Sequence, residues 1–151
     1  MNNIPILQEV EVLYTNKIKK SERIKISSSH DAEQVFRQIW NNLIEIKESS
    51  YILLLNYSNE LLGYHLVSIG GKTSTVVDVT NILMIALKTN SSGVLLAHNH
   101  PSGTNYPSEE DKVMTSKIKK ACETVGLGLR FYDHIVIAPE DYYSFMDNGL
   151  M

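Results

Sequence analysis

The sequence predicts a three-layer α/β domain in which a mixed central sheet is flanked by helices. Three observations lead there. Short apolar runs of strand length alternate with segments whose apolar residues recur at helical spacing. The 151 residues match one ordinary domain, large enough for a core without disulfide or metal staples, so residues 1–151 are read as a single unit. A composition of 43% hydrophobic and 21% charged residues excludes a disordered or fibrous chain.

Glu9-Val10-Glu11-Val12-Leu13-Tyr14 alternates in strand fashion, Asn16 permits a turn, and Lys17 to Ile26 returns as a second strand. This half-exposed hairpin would gather Lys17, Lys19, Lys20, Arg23 and Lys25 against Glu22. That is either an edge blunted by lysines or a weak anion-binding patch. Ser28 and Asp31 have capping-box spacing. Ala32, Val35, Phe36, Ile39, Trp40 and Leu43 then mark one face of a helix ending near Lys47. Tyr51 to Tyr57 and Leu61 to Ile69 are apolar on both faces and are expected as central strands. Asp78 caps a helix running to about Thr89, and Gly93 to Ala97 reads as a buried strand. Pro107 and Ser108 open a helix with Val113, Met114, Ile118, Ala121, Cys122 and Val125 inward and Gly126 as its stop. Leu127 to Ala138 closes the sheet, broken near Asp133, and Pro139-Glu140 begins a short terminal helix with Tyr143 and Phe145.

Fourteen basic against seventeen acidic residues give a net charge of −3. A module that holds nucleic acid by neutralising phosphates carries a basic surplus, so direct DNA binding is disfavoured. Cys122 is the lone cysteine, which excludes a disulfide framework and a thiolate metal site and fits a reducing cytoplasm. No apolar run approaches the ~18 residues of a membrane span, and the first residues lack the blocks of a signal peptide.

The chemistry concentrates in Ala97-His98-Asn99-His100-Pro101-Ser102-Gly103 and Pro107-Ser108-Glu109-Glu110-Asp111. Residues two apart on a strand share a face, with Cα atoms ~6.6–6.8 Å apart, so both imidazoles can converge on one ion at Zn–N distances of about 2.0–2.1 Å. Asp111 falls in the first turn of the following helix, where the dipole favours a carboxylate. Two neutral imidazoles and one carboxylate leave a zinc ion a fourth position for water, the arrangement of a catalytic site. Taken singly, His-x-His is a polar strand rim and Ser108 with Asp111 an ordinary capping box; their conjunction favours the metal.

His98-x-His100 followed by ten residues and Asp111 resembles the metal motif of the JAMM (MPN) domains, whose familiar members are zinc isopeptidases. The string His98-Asn99-His100-Pro101-Ser102-Gly103, with Pro107-Ser108, Asp111 and the later Asp133-His134-Ile135-Val136, is similar to the RadC branch of bacterial proteins labelled DNA repair. The resemblance runs from about Glu9 to the C-terminus. It implies the JAMM/MPN fold, which is cytidine-deaminase-like, and one zinc ion on His98, His100 and Asp111. It also implies that Ser108 bonds the bound water or the tetrahedral intermediate, and that the substrate is a protein or peptide with an amide or isopeptide bond. A true deaminase site is excluded, because its Pro-Cys-x-x-Cys needs two cysteines.

Two departures from the family stand out. Longer RadC proteins begin with helices that resemble helix-hairpin-helix DNA-binding units, and this sequence starts at the JAMM-like hairpin. JAMM hydrolases also use a Glu on the strand preceding the motif helix as general base. Aligning Asn59-Glu60-Leu61-Leu62 and Gly70-Gly71 puts His65 at that place, with Glu60 an odd five residues away and on the opposite face. His65 is then a catalytic base, a further ligand that closes the site, or a histidine bonded to backbone. Two functions follow: a zinc hydrolase, or a silent JAMM-like binding module. His134 supports a metal ligand or is a satisfied core histidine. A homodimer could pair through the edge of the Glu9 to Ile26 hairpin.

Overall fold

The computed structural model describes residues 10–70 and 76–151. Chain order gives α1 (Ser29–Trp40), β1 (Ser49–Leu55), β2 (Leu61–Ile69), α2 (Val79–Lys88), β3 (Gly93–Asn99), α3 (Glu109–Val125), β4 (Arg130–Ile137) and β5 (Tyr142–Ser144). The five strands form one sheet in the order β2-β1-β3-β4-β5, with only the β3–β4 pair parallel. That parallel pair needs a crossover, and α3 supplies it.

Alternation along the strands builds two cores. Leu53, Leu55, Leu95, Ala97, Ile135 and Ile137 face α1, where they meet Phe36 and Trp40. Ile52, Leu54, Val94 and Leu96 face α2 and α3, where they meet Ile82, Ala86, Ile118 and Cys122. This is the mixed α/β architecture, with helices on both faces of one sheet, that the sequence implied. Among the described residues no helix is long and apolar enough to cross a membrane.

Five sequence expectations are corrected. The hairpin from Glu9 to Ile26 does not form over the described residues, and Glu9 itself lies outside them. Asn16 Oδ1 instead accepts the Ile18 N–H at 3.0 Å, a local turn that competes with strand pairing. The segment is clipped to the start of β2, with the Leu61 N–H donating to Ile24 O at 2.8 Å. The edge expected to pair with a second copy is therefore not formed there.

β2 is an edge rather than a central strand, leaving Tyr64 58% and Ile69 57% exposed. Its continuous apolar run could not report which side lacked a neighbour. α1 stops at Trp40 and continues as a 3₁₀ turn, so Leu43 is exposed; Val113 on α3 is exposed as well. The expected terminal helix is β5, because Asp133 claims that segment. Its carboxylate accepts the Ser144 hydroxyl at 2.6 Å and the Met146 N–H at 2.9 Å.

Candidate metal centre

β3 ends against α3, and the centre lies at that junction. His98 closes the apolar series of β3 on the α2/α3 face, opposite Ser50 of β1 and Val136 of β4. His100, two residues on, shares the face and follows the last strand residue. Its Nδ1 donates to the Thr104 carbonyl at 2.9 Å, which leaves Nε2 with a lone pair turned toward His98.

The third candidate ligand, Asp111, is oriented by its own helix cap. The Asp111 N–H donates to Ser108 Oγ at 3.1 Å, and Asp111 Oδ2 accepts the Ser108 N–H at 2.8 Å, completing the capping box. The Asp111 carboxylate is thereby aimed back at the strand. His98 Nε2 lies 3.3 Å from Asp111 Oδ1, His100 Nε2 3.8 Å from Oδ2, and the two Nε2 atoms are 2.9 Å apart. With metal–donor bonds of ~2.0–2.1 Å and tetrahedral angles, donor atoms sit about 3.3–3.4 Å apart. The three separations bracket that value, so the donor set fits a zinc-like ion.

Electrostatics agree. Burial raises the Asp111 pKa, but His98 and the Ser108 hydrogen bonds outweigh it and hold the carboxyl far below the usual range. Burial holds the His100 pKa below the usual histidine value, against the pull of Asp111 and Glu48. Both shifts favour the forms that can bind a metal, an ionised carboxylate and a neutral imidazole.

A cavity of about 370 Å³ opens over the cluster. Its lining includes His98, His100, Asp111, Ser108, His134 and Glu48. His65 is not among the lining residues: it is exposed on β2, opposite Ile52. Two strand spacings across and two residues along put its Cα roughly 12 Å from that of His98.

Glu48 is the residue that sequence reasoning missed. It immediately precedes β1, and continuing the register Ser50–His98 by two residues brings Glu48 beside His100 on the same face. Asn99, which points the other way between the two histidines, fastens the chain on both sides of it. Asn99 Nδ2 donates to Lys47 O at 2.8 Å and to Ile44 O at 2.6 Å, and its Oδ1 accepts the Ser49 N–H at 2.8 Å. The signal was available: Glu48 has the parity of Ser50, Ile52 and Leu54 at the head of an apolar run.

His134 reaches the cluster through an irregularity. A bulge puts Asp133 rather than Tyr132 opposite Leu95, which flips everything beyond it and turns His134 onto the face of His98. Gly93 makes room for this, since a Cβ there would meet Tyr132 Cε2 at 2.1 Å.

Fold and site together define a JAB/MPN-like α/β domain with a His/His/Asp cluster suited to a divalent metal. The sequence model of the RadC-like JAB domain matches residues 26–150, and the chain belongs to that family. It is 40% identical over 126 residues to a UPF0758 protein of Flavobacterium johnsoniae, covering 83% of this chain and 53% of that protein. A UPF0758 protein of Aquifex aeolicus is 32% identical over 148 residues, covering 98% of this chain and 63% of that one. One from Porphyromonas gingivalis is 36% identical over 139 residues, covering 91% and 60%. The chain thus spans somewhat more than half the length of these curated relatives.

Proposed function

We propose that the domain is a zinc-dependent hydrolase of amide or isopeptide bonds in a protein or peptide, with Glu48 as its general base. The observation that carries this is the gathering of Glu48, Ser108 and the three candidate ligands around one cavity. Zinc held by His98, His100 and Asp111 would supply a Lewis acid that polarises the scissile carbonyl and acidifies water.

The rest falls to the chain's own groups. Glu48 takes a proton from the attacking water and delivers it to the departing amine as the C–N bond breaks. Ser108 Oγ accepts the Asp111 N–H, which leaves its hydroxyl proton to donate to the oxyanion. The reading of a silent module drew its force from His65 standing in place of a base; a carboxylate at the cavity removes that force. With a net charge of −3, the expected partner is a protein or peptide, and direct DNA binding is weak or absent.

The test is turnover of peptide and isopeptide libraries by zinc-loaded wild type and Glu48→Gln, with metal content measured in both. Turnover by the wild type only, at equal zinc content, supports the proposal. Equal turnover by both contradicts the role of Glu48, and no zinc uptake by wild type contradicts the metal.

A further inference from the structure

The His98 ring has a second nitrogen, and its environment is unusual. His98 Nδ1 lies 2.8 Å from His134 Nε2, and His134 Nδ1 lies 2.6 Å from Thr115 Oγ1. The Thr115 hydroxyl donates to the Asp111 carbonyl at 2.7 Å, one turn back in α3. A hydroxyl has one proton, so toward His134 Thr115 Oγ1 acts as an acceptor.

That single commitment propagates. His134 Nδ1 must carry a proton to donate to Thr115, so in the neutral ring Nε2 has the lone pair. This lone pair accepts a proton from His98 Nδ1. With Nδ1 of His98 so occupied, Nε2 is the nitrogen that faces Asp111 and His100 and can bind an ion.

His134 is fully buried and its ring stacks on Phe145, centroids 4.7 Å apart and planes 13° apart, so it cannot turn away. The backbone of Phe145 also donates to His134 O at 3.0 Å.

The geometry points to Thr115 and His134 as positioning residues: a hydroxyl-to-imidazole relay that fixes the tautomer of His98 so that its Nε2 is the ligand. Ligating histidines commonly give their second N–H to a carboxylate, a carbonyl or water. Here a second imidazole takes that place, and an imidazole can donate as well as accept, so it needs Thr115 to fix its sense. The inference rests on the metal reading above and names how one ligand is prepared for it.

Thr115→Val removes the hydroxyl at nearly constant volume and frees His134 to carry its proton on Nε2, aimed at His98. The experiment pairs zinc affinity, by chelator competition, with long-range ¹H–¹⁵N spectra that show which imidazole nitrogen is protonated in the metal-free and zinc-loaded protein. Wild type should show Nδ1 of His134 protonated in both forms, and the zinc-loaded protein should show His98 protonated at Nδ1 alone. Thr115→Val should lose zinc affinity by about 10–100-fold and move the His134 proton to Nε2, while Thr115→Ser stays within about threefold of wild type. Unchanged affinity and tautomers in Thr115→Val, with the same unfolding midpoint as wild type, would overturn the relay. A wild type that takes no zinc contradicts the metal reading separately, and the tautomer of His134 in the metal-free protein still decides the relay.

Discussion

β2 and β3 lie on either side of β1, and each carries a histidine on the sheet face toward α2 and α3. On β3, His98 is 3% exposed and meets His134, His100 and Asp111. On β2, His65 is exposed and does not reach the cavity. Face parity is the same, and strand position makes the difference. An inner strand has neighbours on both sides and a helix end above it, so its polar groups are oriented for it. An edge strand has half of that.

The comparison is broken most severely at the carboxylate. Glu48→Gln should lower turnover by about 10²–10⁴-fold, the usual share of a general base, and His65→Ala should leave it within about twofold. A reversed pattern in steady-state rates would return the base to β2. Ser108→Ala should cost about 10²–10³-fold in kcat through the oxyanion and about 1 kcal/mol in stability through the lost cap. Zinc content should hold, and Ser108→Thr should keep the cap.

Asn99→Ala strips hydrogen bonds from both sides of Glu48 in a buried setting. A loss of about 1–3 kcal/mol in urea unfolding is expected, together with a lower kcat at unchanged zinc affinity. Loss of stability without loss of kcat would make Asn99 a scaffold residue with no bearing on the base.

The smallest effect concerns pH in the metal-free protein. Burial drives the pKa of His134 well below the usual histidine value, and that of His100 lies below it too. Unfolded, both return to about 6.5, so below that pH the unfolded chain binds more protons and stability declines. Asp111, whose folded pKa is depressed, adds its own loss only under about pH 4. At the other end the Cys122 thiol, buried and pushed up to about 11, resists ionising while the unfolded thiol does not, so stability falls above about pH 9. Urea midpoints measured between pH 5 and 10 in a chelator should trace this dome, and His134→Phe should flatten its acid side.

Much of this was legible beforehand, and what was not shares one cause. The cap at Asp78, the stop at Gly126, the third helix and the cluster of His98, His100 and Asp111 are local features of the chain. The edge position of β2, the clipped segment before Ile26 and the β5 pairing depend on which strand lies beside which, and the order of local elements does not state that. Glu48 belongs with these: fifty residues separate it from His98, and the antiparallel pairing of β1 with β3 is what makes them neighbours. The bulge that turns His134 inward is visible in sequence only as a break near Asp133. Its consequence appears once the register with β3 is known.

In the proposed reading, β1, β3 and α3 build one metal centre to which β2 contributes nothing. A crystal structure of the zinc-loaded protein, with anomalous data at the zinc edge, tests it most directly. One peak is expected about 2.0–2.1 Å from Nε2 of His98, Nε2 of His100 and an oxygen of Asp111, with Glu48 facing the open coordination position. A peak ligated by His65, or none at this cluster after loading, would contradict it.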